Sequence, residues 1–148
     1  MIKIEYINNM KQLNKRVGET KFVDSMSVHL GQYGDSKHDI LKSIKYAFSK
    51  EPGKGGFVLT AFHKNKLIGG LVMNKTGMSG YIPDYILVYI AIDKRYRGKG
   101  FGKAIIEKAL EYTEGGDVKL HVEYNNPAKK LYERLGFNNK YAEMRYYK

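Results

Sequence analysis

The 148-residue sequence contains no cysteine, which removes disulfides, thiolate metal sites and cysteine nucleophiles together. It also lacks a long apolar run. The longest, Ile86 to Ile92, falls far short of a membrane span. The opening stretch, Met1 to Lys11, alternates charged and apolar residues and has no hydrophobic region of the kind a signal peptide needs. These absences predict a cytoplasmic protein with no membrane association. Acid is in short supply: 15 Asp and Glu stand against 26 Lys and Arg, a net charge of +11. Such a balance invites an anionic partner, whether nucleic acid, a membrane surface or a phosphorylated small molecule, and does not choose among them. Both halves of the chain are basic, so the charge is not a tail on a neutral domain. The histidines at 29, 38, 63 and 121 lack ligand-like spacing, and no metal is expected. Tryptophan is absent while tyrosine is abundant. Tyrosines on basic surface could stack on single-stranded nucleic acid, but Tyr85, Tyr89 and Tyr132 fall in buried patterns, which argues against nucleic acid as a partner.

What is present fits one domain over 1–148, with 43% hydrophobic and 28% charged residues, enough for a core. Ile2, Ile4 and Tyr6 alternate as an opening strand. Asn8 or Asn9 caps a helix carrying Met10, Leu13 and Val17, and a less regular stretch follows to Lys37. Asp39 opens a second helix with Ile40, Leu41, Ile44, Ala47 and Phe48 inward. Phe57 to Phe62 and Leu67 to Met73 form a hairpin, and Tyr85 to Ile92 reads as a central strand buried on both faces. A helix bearing Ile105, Ile106 and Ala109, a strand at Val118 to Val122, a helix from Ala128 to Leu135 and a last strand within 140–147 complete the pattern. Hairpins together with crossover helices imply an α/β (α+β) domain with a mixed sheet.

The most informative segment joins the central strand to the helix after it. Lys94, Arg95, Arg97, Lys99 and Lys103 crowd there with Gly98, Gly100 and Gly102 and no acid. The first turn of a helix presents free N–H groups and the positive end of its dipole, and glycines let a ligand approach the backbone. The segment is an anion cradle. It is not a Walker loop, since Ala104 rather than Ser or Thr follows Lys103. Nor is it a dinucleotide fingerprint, whose third glycine comes one residue later.

Arg97, Gly100 and Gly102 spell R-x-x-G-x-G, which resembles the signature loop of the GNAT superfamily of acetyl-CoA-dependent N-acetyltransferases. Asn125 to Phe137 is similar to that family's N-x-x-A-x-x-L-Y-x-x-x-G-F segment, with Ala128, Leu131, Tyr132, Gly136 and Phe137 at its defining positions. The resemblance implies the GNAT fold: a mixed, mostly antiparallel sheet with a splayed central strand and flanking helices. It also implies acetyl-CoA as co-substrate. Ile90, Ala91 and Ile92 would bond the pantetheine arm through their backbone. Arg97, Gly98, Lys99, Gly100, Phe101, Gly102 and Lys103 would hold the pyrophosphate. Asn125, or Asn126 given the short link from Val122, would bond the pantetheine. Tyr132 would act as general acid toward the leaving sulfur; on pattern alone it is a core tyrosine on an apolar stripe.

The central strand carries no acid or histidine. Asp84 precedes it, and His121 and Glu123 alternate away from the buried residues of the next strand. Asp84, Tyr85 and Tyr89, with Tyr33 and Tyr81, are candidates to line the acceptor pocket. The resulting expectation is an N-acetyltransferase that takes a small-molecule or peptide amine, as monomer or homodimer. Its rivals are an acyl-CoA-binding sensor without turnover and a basic nucleic-acid-binding domain. Net charge biases the acceptor away from polyamines and aminoglycosides.

Overall fold

A computed structural model describes residues 1–148. Strand β1 (Ile2–Ile7) leads into helices α1 (Met10–Arg16), α2 (Glu19–Leu30) and α3 (Lys37–Phe48). Strands β2 (Gly56–His63), β3 (Lys66–Lys75) and β4 (Tyr85–Ile92) follow, then helix α4 (Phe101–Glu111), strand β5 (Val118–Leu120) and helix α5 (Ala128–Arg134). Short 3-10 turns stand at Gly31–Tyr33 and Lys94–Tyr96. The sheet order is β1-β2-β3-β4-β5, antiparallel except for the parallel β4–β5 pair. Helices α2 and α3 cover one face, where Phe22, Met26, Ile40 and Ile44 pack on Val58 and Val72. Helix α4 covers the other, with Ile105 and Ile106 on Leu59, Leu71 and Met73. No helix is long and apolar enough to cross a membrane.

Local chemistry explains most of these elements. Asn9 Oδ1 accepts the Gln12 N–H at 2.8 Å and starts α1. Ser36 Oγ accepts the Asp39 N–H at 3.1 Å, so α3 begins two residues before Asp39. Lys64 and Asn65 both take positive φ, 49° and 63°, the geometry of a tight hairpin turn between β2 and β3.

Two expectations are corrected. The stretch before Lys37 holds the well-formed helix α2. Its Thr, Ser, Val, Asp and His are weak helix formers, so propensity hides it. Burial decides: Phe22, Val23 and Met26 form an inward stripe. The second correction is the last strand. Residues 138–148 form no helix and pair with no strand. The alternation that predicted a strand is nonetheless real, because Tyr141, Glu143, Arg145 and Tyr147 line one cleft.

Sheet and α2 meet at Gly70. A Cβ there would lie 2.6 Å from Cε1 and Cζ of Phe22 and 3.1 Å from Met26 Sδ. Both neighbours are fully buried, so neither has room to yield. Gly70→Ala is expected to cost about 1–3 kcal/mol, read as a lower midpoint in urea. An unchanged midpoint would show that α2 is not locked against β3.

Candidate functional site

The site begins with a fault in the sheet. Val72 pairs with Tyr89 but Met73 pairs with Leu87, leaving Val88 as an extra residue in β4. This bulge bends the strand and reverses its alternation. Tyr85 and Leu87 pack on the α4 side, whereas Tyr89 and Ala91 pack on the α2–α3 side. Pairing with β5 stops at Leu87↔Leu120. Beyond it β4 keeps β3 as far as Ile92 and has no strand on its other edge. That is the expected splay. Burial along β4 therefore alternates between buried and partial, in place of burial throughout.

A cleft of about 720 Å³ runs where β5 leaves. Ile86 to Tyr89 form one wall, His121 to Tyr124 another, and residues 32–35 and the C-terminal tail enclose it. The cleft takes in His121 and Glu123, which the alternation had pointed to solvent. His121 Nδ1 lies 3.8 Å from Glu143 Oε1 and 3.4 Å from Arg145 Nη2, and burial lowers the His121 pKa. Lys129, also in the wall, pairs with Glu133 at 3.4 Å.

At the C-terminal end of β4 stands the glycine turn. Asp93 is buried at 3% exposure, and its Oδ1 accepts the Arg95 backbone N–H at 3.0 Å. The Arg95 guanidinium grips the same carboxylate and holds its pKa well below the usual carboxylate range. Arg97 turns inward. Its Nε donates to Ile92 O at 2.9 Å and its Nη2 to His29 O at 2.6 Å, while its backbone N–H donates to Lys94 O. Arg97 thus fastens the turn to β4 and α2, and it occupies the Ile92 carbonyl.

The backbone N–H groups of Gly98, Lys99, Gly100, Phe101, Gly102 and Lys103 donate to nothing in the chain. Gly98 and Gly100 take φ of +75° and +81°, which L side chains resist, and a Cβ on either would project into open space. Gly102 has another role: its Cα faces Leu131, 3.2 Å from where a Cβ would stand. Lys99 and Lys103 have no carboxylate partner. Free N–H groups at a helix start flanked by unpaired lysines form an anion site.

Tyr132 of α5 packs in the α4-side cluster with its ring edge-on to Phe137. Burial pushes its pKa up to about 12. The ring is buried, yet the hydroxyl makes no hydrogen bond in the chain and is not sealed from solvent. Nearby, Asn126 Oδ1 accepts the Ala128 N–H at 2.9 Å and caps α5. That leaves the Asn125 carboxamide unengaged, while the Asn125 carbonyl accepts from the Tyr33 hydroxyl at 3.0 Å.

The proposed acceptor residues separate. Tyr89 lines the cleft; Asp84 and Tyr85 do not. They lie about 23 Å of strand away from the turn, at about 3.3 Å per residue. There they border a second hollow of about 420 Å³ with Lys75 and Glu114. Asp84 Oδ2 accepts the Asp117 N–H at 3.0 Å, so this carboxylate ties the starts of β4 and β5 together. The sequence reading missed Asp35. Its carboxylate accepts the Tyr89 hydroxyl inside the cleft, and nothing in its loop sequence marks it out.

Comparison with known proteins agrees with this geometry. Residues 22–137 match the Acetyltransferase (GNAT) family. The chain is 33% identical over 85 residues to N-alpha-acetyltransferase RimI of Mycobacterium tuberculosis, a stretch covering 54% of each protein. It therefore spans about half the length of that curated relative. Among solved structures, an aminoglycoside N-acetyltransferase, AAC(6')-Iy, in complex with CoA superposes with a TM-score of 0.73 at 15% identity, over 100% of this chain and 95% of that one. A ribosomal-protein-alanine N-acetyltransferase from Brucella melitensis superposes with a TM-score of 0.68 at 15% identity, over 99% of both chains.

Proposed function

Since this chain belongs to the GNAT family of acetyltransferases, we propose that it transfers the acetyl group of acetyl-CoA to a primary amine, with both bound at once. The run of free N–H groups from Gly98 to Lys103 carries this reading. The residues fit the co-substrate. A pyrophosphate needs several convergent donors and a backbone without side chains in its way, and Gly98 and Gly100 leave open space there. Acetyl-CoA would supply an acetyl thioester.

Gly98 to Lys103 bind the phosphates, with Lys99 and Lys103 adding charge. The bare edge of β4 at Ile90 and Ala91 orients the pantetheine, and Asn125 offers it a free carboxamide. Tyr132 holds a proton at its hydroxyl and, with its pKa near 12, keeps it at neutral pH. It is a hydrogen-bond donor aimed at stabilising a thiolate. Tyr132 and Tyr89 belong to clusters on opposite faces of the sheet. That arrangement supports cofactor and acceptor meeting through the gap from opposite sides.

The similarity to an N-alpha-acetyltransferase favours a peptide N-terminus as acceptor. Consumption of acetyl-CoA should be followed against a panel of N-terminal peptides, lysine and small amines. Turnover with one class supports transfer. Tight acetyl-CoA binding with no turnover across the panel favours the sensor reading. A steep salt dependence of RNA affinity would instead identify a nucleic-acid binder.

A further inference from the structure

Resting on the acetyltransferase reading above, the geometry points to Asp35 as the residue that receives the ammonium group of the acceptor, with Tyr89 as its positioning residue. Strand β4 has no acid or histidine of its own. A carboxylate reaches it from another element: the Tyr89 hydroxyl donates to Asp35 Oδ2. Tyr89 is 8% exposed and stands just past the bulge, so its ring is a fixed mount for a carboxylate on an otherwise exposed loop. One hydrogen bond from a phenol leaves most of the acceptor capacity of that carboxylate unused.

The loop bearing Asp35 is fastened on both sides of the cleft. Tyr89 holds it to β4, and Tyr33 holds it to the β5–α5 loop through the Asn125 carbonyl. Charge supports the assignment. The sequence has 26 Lys and Arg against 15 acids, yet Asp35 has no cation within ion-pair distance. Glu143 in the same cleft is matched by Arg145 and His121. The Glu123 carboxylate has no hydrogen bond to position it; only its backbone carbonyl is engaged, by the Asn126 N–H. Asp35 is thus the one carboxylate of the cleft that is both positioned and without a counter-charge. A primary ammonium supplies a charge and three donors in one compact group. The ligand class is a primary amine that enters protonated; an alcohol of equal size brings this carboxylate one hydrogen bond and no charge.

The test uses n-butylammonium and the uncharged n-butanol, equal in heavy atoms, as probes, titrated by NMR into the protein saturated with CoA. CoA affinity is measured separately by calorimetry. The wild type should bind butylammonium about tenfold or more tightly than butanol, with shifts at Tyr89 and Tyr33. Asp35→Asn should abolish that preference and leave CoA affinity unchanged. Tyr89→Phe should weaken it partially, since the carboxylate remains but loses its mount. Equal affinity for the two probes, no saturable shift with either, or an Asp35→Asn protein that keeps the preference would each overturn the assignment. Failure of CoA itself to bind would sink the acetyltransferase reading instead.

Discussion

Tyr132→Phe should lower kcat about 100-fold, the lower end of what a positioned proton donor supplies, and leave the KM for acetyl-CoA within about threefold. The substitution is sterically silent. It keeps the ring in its cluster and the edge-on contact with Phe137. It removes no hydrogen bond, because the hydroxyl has no partner in the chain. Stability at neutral pH should therefore be unchanged, which separates a chemical role from a packing role. A variant that turns over at the wild-type rate would leave Tyr132 as a core residue only.

The raised Tyr132 pKa adds a second readout. Its folded value of about 12 lies above the ordinary 10.0. Below pH 10 both folded and unfolded chains hold the proton, and the group is neutral to stability change. Between 10 and 12 the unfolded chain ionises first, so stability falls as pH rises through this window. Phenylalanine has no proton to lose. Tyr132→Phe should accordingly blunt part of the alkaline unfolding of the wild type, followed by circular dichroism.

The fold was legible wherever a pattern was local. The β2–β3 hairpin and β4 announce themselves as apolar runs, and α4 and α5 by the period of their stripes. Helix α2 does not, because its stability comes from Phe22 lodging against Gly70, forty-odd positions away, and not from the helix propensity of its residues. The cradle was legible because glycines and lysines in sequence share one turn. The cleft was not: Asp35, Tyr89, His121 and Glu143 come from four separate segments, which the bulge at Val88 and the departure of β5 bring together. Net charge is a property of the whole chain and does not describe the cleft, where Asp35, Glu123 and Glu143 stand beside Lys129 and Arg145.

Replacing both turn glycines, in a Gly98→Ala, Gly100→Ala variant, should raise the Kd for acetyl-CoA about 100-fold. Each glycine holds a left-handed φ, and an L residue there costs about 1–2 kcal/mol. The turn can relieve that strain only by rotating its peptide planes, which disperses N–H groups that now converge. The new methyl groups meet nothing in the chain, so the folded core is not crowded. They project into the same open space that a phosphate needs. Gly115→Ala is the matched control. Its φ is +79° and its surroundings are equally open, but it lies beyond the far end of α4. It should show the strain of one such site in thermal unfolding and no change in acetyl-CoA affinity by calorimetry. If the control weakens binding as much as the double variant does, general destabilisation accounts for the loss. If the double variant binds as the wild type does, the N–H groups of Gly98 to Lys103 are not what holds the phosphates.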